Sequence, residues 1–396
     1  MRPSFVMTIT SEHLTFLISD AGTRLLARLG DEDLSDANTL TLLTRLRREY
    51  SGEQAGAALE LARLRLSAVG KFGADATKLF FTRESLEQAS DPSIRRWRAA
   101  SWSARSVTDV CCGIGADALA FAQAGAAVHG LDIDPVRVAM AELNAKALGL
   151  RAVFEVADVR LGVLERELVF FDPARRTADG RRIFAVEDYQ PPLFLARDWR
   201  APSVCIKLSP GVDKQQLGEF AAAWSLDFVS ARGDLKEANL WRADRQGPTL
   251  RAVLIADETT HTWDNDGEHP DVPLHEPQAW LCEPDPALIR AELVQDVAAA
   301  CQGTLLDETI AYFTTDQKPN SPWVRAWEVE AWMAFSVKRL REYLRVRGVG
   351  RVTVKKRGTA VTPETLIPQL KLKGSEERLV VLTRLRGQQI AIVCAP

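Results

Sequence analysis

Three acids and two glycines set the chemistry this chain can do. Asp109 stands where an apolar strand at 107–110 gives way to the loop Cys111-Cys112-Gly113-Ile114-Gly115. Asp132 closes a second apolar run at 128–131, and Asp172 opens the tetrad Asp172-Pro173-Ala174-Arg175 after a third at 168–171. Gly113 and Gly115 lack the Cβ atoms that would keep a ligand off the backbone, and they accept positive φ. An acid about twenty residues past a glycine-rich strand-to-helix turn is placed to hold the ribose hydroxyls of an adenosine. A nucleotide-shaped ligand at the ends of strands follows.

The glycines alone leave the ligand open, because Gly113-x-Gly115-x-x-Ala118 also fits a dinucleotide fingerprint. Asp109 tilts the choice. A carboxylate there repels a pyrophosphate and attracts a cation, such as the amino and sulfonium groups of S-adenosylmethionine.

The surrounding pattern supplies the positioning elements. After the loop comes a helix with Leu119, Phe121 and Ala122 as core candidates, closed by Gly125. Asp134-Pro135 starts the next helix with a cap and a first-turn proline, and Gly149 ends it. Strands are expected at 152–156, 168–171 and 203–208, and a final antiparallel pair at 226–231 and 250–255. Alternating strands and helices predict a doubly wound sheet with its ligand at the carboxyl ends of the strands. Residues 10 to about 66 read as helices, with Leu14, Leu17, Ile18, Leu25, Leu26 and Leu29 at helical spacing.

With these residues in place, 106–134 and 170–176 resemble motifs I to IV of the class I S-adenosylmethionine-dependent methyltransferases. The run from Lys338 to Leu344 and on to Gly358 resembles the THUMP-like C-terminal domain of a bacterial group of these enzymes. The resemblance extends from about Lys71 to the end. It implies a Rossmann-like methyltransferase sheet, an N-terminal helical region (1–100), a cofactor domain (101–258), a linker (259–278) and an α+β, ferredoxin-like domain (279–396). It implies S-adenosyl-L-methionine as cofactor, touching Asp109, Cys112, Gly113, Gly115, Asp117, Asp132, Ile133, Asp158, Val159 and Asp172. Phe81, Thr82 and Arg83 are candidates for a pocket wall or for packing between cap and main domain.

Asp172, Pro173 and Arg175 are the expected catalytic positions. In methyltransferases acting on base nitrogens, Asp-Pro-Pro-aromatic at this point holds a planar amine; here Arg175 replaces the aromatic and can stack on a base or clamp a phosphate. The tetrad also resembles that of RNA uracil-5-methyltransferases, which add a thiolate to the base from a turn after strand five. Leu208 stands where that cysteine belongs, so the covalent route is not expected. The first motif resembles cap-guanosine N2-methyltransferases too, without their aromatic.

Charge points to the substrate. Residues 337–388 hold fourteen Lys/Arg against four acids, a balance of +10, so with −3 for the whole chain the remainder carries −13. A region so basic is expected to meet a polyanion, and RNA is the partner this reading favours. A catalytically silent RNA-binding protein, or a methyltransferase for protein or a small molecule, is the alternative. Six scattered cysteines imply a reducing cytoplasm and no disulfide framework. No apolar run is long enough to span a bilayer, and the N-terminus does not read as a signal peptide. Residues 257–278 hold three of the five histidines, at no spacing that fits a metal; an exposed linker is expected.

Overall fold

The computed structural model describes residues 7–102, 104–162, 165–174, 185–242, 249–257 and 259–396. Two compact units divide the chain: Met1–Ser225 with Glu237–Pro248, and Leu226–Lys236 with Thr249–Pro396.

The first unit begins with six helices: α1 (Ser11–Leu17), α2 (Asp20–Leu29), α3 (Thr39–Leu46), α4 (Gly52–Phe72), α5 (Arg83–Gln88) and α6 (Pro92–Trp102). Ser51 caps α4 through Gln54, and a run of alanines and leucines from Ala55 to Leu64 buries the helix on most sides. The sheet region follows as β1 (Ser106–Val110), α7 (Ala116–Gln123), β2 (Ala127–Asp132), α8 (Pro135–Ala147), β3 (Ala152–Val156), β4 (Leu168–Phe171), β5 (Ser203–Leu208) and α9 (Glu219–Ala223). β6 (Ser225–Ala231) falls in the second unit from Leu226 onward, and β7 (Asp234–Arg242) belongs to the first from Glu237 onward. The helical region is no separate domain: its leucine core continues into Ile114 of the glycine loop and Met140 of α8.

Within the first unit the strand order is β3-β2-β1-β4-β5-β7. The first five are parallel, and β7 runs antiparallel to β5. The connections reverse direction between β1 and β4, which opens a crevice at the carboxyl ends of those strands. The expected antiparallel pair is corrected here. β8 (Leu250–Ala256) pairs parallel with β6, and the antiparallel strand is β7, unforeseen in the sequence. β7 escapes a periodicity reading because Glu237 and Asn239 are buried in it.

In the second unit β8 also pairs antiparallel with β9 (Thr259–Asn265), so the expected linker opens as a strand. Its Thr-Thr-His-Thr-Trp run has the β-branched and aromatic residues a pleated surface takes. Ser230 donates to Asp285 Oδ1 at 2.5 Å, tying β6 to this unit rather than to a boundary at 258. Further along come β10 (Trp280–Pro284), α10 (Pro286–Arg290), α11 (Val294–Ala300), β11 (Thr304–Leu305), β12 (Phe313–Thr315) and β13 (Val324–Ala334). Glu292, at φ 63°, lies between α10 and α11 and keeps them from running on as one helix. α12 (Val337–Val346), β14 (Val349–Lys356), α13 (Pro363–Leu370), β15 (Glu376–Leu385) and β16 (Gln388–Cys394) complete the chain.

The seven-stranded sheet has the order β11-β12-β10-β13-β16-β15-β14. Alternate residues of β15 and β16 feed opposite cores: Val380, Leu382, Ala391 and Val393 face α12 and α13, while Leu379, Val381, Ile390 and Ile392 face Leu281 and Tyr312. The α+β character matches expectation. Its topology departs from the ferredoxin-like split unit, because α13 crosses between the parallel strands β14 and β15. Among the described residues no helix is long and apolar enough to cross a membrane, and no cluster could hold a metal ion.

Candidate functional site

The carboxyl ends of β1, β2, β4 and β5 carry the site. β1 is buried from Val107 onward and delivers Asp109 and then Cys111, whose φ of 63° is left-handed. Gly113 (φ 56°) and Gly115 (φ 82°) continue the turn. A Cβ on Gly113 would meet nothing within 4 Å, so the loop backbone is open on that side; at Gly115 it would press on Ala141 and Phe154. The Cys112 amide donates to Leu131 O at 3.0 Å and ties the loop to β2. The Cys112 side chain packs in the core, and burial pushes its thiol up.

Asp132 faces this loop. Its Oδ2 accepts the Gly113 amide at 2.8 Å, and its Oδ1 accepts the Asp134 amide at 2.9 Å. Each oxygen keeps a second lone pair with which to accept a hydroxyl. The next residue, Ile133, is 62% exposed and offers an apolar surface beside that carboxylate. Asp158 follows β3. It caps the single turn 159–161 and pairs with Arg160 at 2.6 Å, whose hydrogen bond holds the carboxyl below its ordinary range. Val159 is buried.

Asp109 is buried, and its Oδ2 has no hydrogen-bond partner among the described residues. Burial, then the nearby Asp117 and Asp172, pushes its pKa well above the carboxylate range. Such an acid is stable when neutral and ready to ionise when a cation arrives. The sign of its linkage is plain. Because the folded pKa lies above the unfolded one, stability falls as pH rises from about 4 to the folded pKa, by up to roughly 1.4 kcal/mol per unit. Asp109→Asn is therefore expected to flatten that part of the stability-against-pH curve. Parallel curves for the two proteins in urea titrations would contradict a neutral Asp109.

Asp117, expected beside the ligand, is turned instead into a buried network. Arg98 of α6, wholly buried over the Phe170 ring, pairs with both Asp117 and Glu237 of β7. Ser90 Oγ donates to Asp117 Oδ2 at 3.0 Å. Burial opposes the Asp117 charge, but Arg98, Lys207 and Arg95 outweigh it and hold the carboxyl below its ordinary range. The network braces α6, α7 and β7 beneath the site.

The Asp172 amide donates to Val110 O at 3.2 Å, which fixes the tetrad beside β1. Its carboxylate accepts from Lys207 Nζ at 2.6 Å. Lys207 was not singled out in the sequence, although a lysine inside the apolar strand Ser203–Leu208 is the signal that could have found it. Pro173 follows, and Ala174 exchanges both backbone bonds with Gln190. Arg175 lies outside the described residues. Phe81, Thr82 and Arg83 serve packing: Phe81 is buried against Phe72, Thr82 caps α5, and Arg83 pairs with Glu60.

An adenosine ligand bearing a positive charge fits these groups. The unpartnered Asp109 oxygen suits a cation, the space at Gly113 admits a ligand against the backbone, and Asp132 retains acceptor capacity.

Comparisons with known proteins agree with that chemistry. Family models match residues 107–171 as a methyltransferase domain, 324–396 as THUMP domain-like, and 10–68 as a domain of unknown function. Two proteins described as uncharacterised S-adenosylmethionine-dependent methyltransferases, from the CDC 1551 / Oshkosh and ATCC 25618 / H37Rv strains of Mycobacterium tuberculosis, are similar throughout. Each is 35% identical over 358 residues, covering 87% of this chain and 98% of the relative. The crystal structure of a candidate methyltransferase from Porphyromonas gingivalis W83 shares the fold, with a TM-score of 0.79 and 18% identity over 98% of this chain and 99% of that one.

Proposed function

The chain belongs to the S-adenosylmethionine-dependent methyltransferases, and on that premise we propose that it methylates RNA, with a base nitrogen as acceptor and the basic C-terminal region as the grip. S-adenosylmethionine is the cofactor and supplies an electrophilic methyl group on a sulfonium sulfur. The chain's own residues then have alignment to perform. Asp132 holds the ribose, the open backbone at Gly113 seats the amino-acid end, and Ile133 lies against the adenine. Asp158 and Val159 border the same ligand from the loop after β3. The Asp172 carboxylate accepts a hydrogen bond from the acceptor N–H, Pro173 stiffens its loop, and Arg175 meets the base or a phosphate.

The observation that carries the RNA reading is the outer face of α12. Its apolar positions Leu340 and Leu344 are buried, and Lys338, Arg339 and Arg345 stand exposed with no ion pair among the described residues. Arg341 Nε donates to Gln369 O at 2.9 Å, which brings the end of α13 alongside. The exposed Lys371 and Lys373 follow directly, also without an ion pair among the described residues. A cluster of unpaired cations on a rigid helix is suited to phosphates.

Incubation with methyl-labelled cofactor and total RNA tests the proposal; label in RNA is the expected result. RNA retained without label would favour a silent RNA-binding protein, and label in protein or small molecules would overturn the RNA assignment. Replacing Lys338, Arg345, Lys371 and Lys373 by glutamine should weaken RNA binding and lower the slope of log affinity against log salt by roughly 0.7 per lost contact. An unchanged slope in anisotropy titrations would place the grip elsewhere.

A further inference from the structure

Lys207 has no packing reason to be a lysine. Its side chain is 3% exposed within a strand flanked on both sides, among the fully buried Val204, Ile206 and Leu208. An ammonium taken out of water is costly, and an apolar residue of similar volume is often as stable or more so. Asp172, which pairs with Lys207, is not enclosed with it, since the Asp172 side chain is 25% exposed and reaches solvent. The buried cation therefore points to the site.

The charges around the glycine loop show what it does. Asp109 and Asp132 come from the adjacent strands β1 and β2 and Asp172 directly follows β4, with the Asp172 amide bonded to Val110 O at 3.2 Å and Asp132 to the Gly113 amide at 2.8 Å. Among the described residues Asp109 has an unpartnered oxygen, and Asp132 accepts backbone amides alone. Among the described residues, Lys207 is the one cationic side chain bonded to any of these three acids. Resting on the methyltransferase reading, we infer that Lys207 is the counter-cation of the transfer site. Paired with Asp172, it cancels one carboxylate charge and so limits how much more tightly the protein holds the charged cofactor than its neutral thioether product. It acts through Asp172 and is a positioning residue, setting the charge balance that the substrate sulfonium meets and the product no longer feels.

Calorimetry of the full chain at pH 8 with S-adenosylmethionine and S-adenosylhomocysteine tests this without an acceptor. Lys207→Met leaves Asp172 unopposed and should raise the ratio of the two affinities, in favour of the sulfonium, by about tenfold. Asp172→Asn leaves the lysine unopposed and should lower the ratio by about the same factor. The double variant Asp172→Asn/Lys207→Met restores the balance and should return the ratio to that of the wild type, as should Lys207→Arg. If Lys207→Met does not fold, Asp172→Asn, the double variant and Lys207→Arg carry the comparison. A ratio constant across the series, with both ligands still bound, would overturn the inference alone. Binding of neither ligand by the wild type would overturn the methyltransferase reading, and this inference with it.

Discussion

Arg98→Met is expected to destabilise the protein by about 3–5 kcal/mol, the loss typical of breaking a buried ion pair from one side. Arg98 is fully buried, and Asp117 and Glu237, its two partners, are nearly so. Its removal strands two carboxylates where water does not reach, and they must protonate or drag structure open. Asn239 Nδ2, which donates to Glu237 Oε1 at 3.1 Å, satisfies only part of the second acid. The pH dependence adds a signature. The Asp117 carboxyl is depressed in the folded state, so its contribution is present above its unfolded pKa and fades as pH falls through the folded value, below about pH 4. The gap between variant and wild type should therefore narrow in acid. Denaturant midpoints across pH measure it; a loss under 1 kcal/mol at neutral pH would mean that the network is not what braces α6 against α7 and β7.

Asp132→Ala should cost about 1.5–3 kcal/mol of S-adenosylmethionine affinity, roughly a ten- to hundredfold weaker complex, as expected when a charged hydrogen-bond acceptor is lost. The effect has two sources. The ribose loses its acceptor, and the Gly113 amide, now held at 2.8 Å, loses the partner that fixes the loop. Asp132→Asn separates them, since an amide oxygen still accepts from Gly113 while the charge is gone. It should fall between wild type and alanine. Equal affinity in all three proteins would remove Asp132 from the cofactor site.

Much of this arrangement was legible in the sequence, for identifiable reasons. The strands β1 to β5 are short apolar runs bounded by glycine, proline or acids, and the Gly113–Gly115 turn with Asp132 behind it has few structural alternatives. What stayed hidden was polar and buried. The family resemblance implies Asp117 as a ligand residue, yet Arg98, nineteen residues earlier, claims it. β7 does not alternate as an exposed strand should, because Glu237 faces Arg98 and Asn239 lies opposite Lys207 in register. Lys207 lies within an expected strand and becomes the partner of Asp172 only when β4 and β5 lie side by side. Long-range ion pairs leave no periodicity. Topology was misjudged for a related reason: parallel and antiparallel partners of β6 and β15 are set by which element crosses the sheet, not by the residues of the strand.

The central claim, that this chain places a methyl group on RNA, is tested most directly by comparing modified nucleosides in RNA from a deletion strain and its parent by mass spectrometry. The account predicts that one base-methylated nucleoside disappears in the deletion, returns with the wild-type gene and does not return with Asp132→Ala. Identical nucleoside profiles in parent and deletion strains would contradict it.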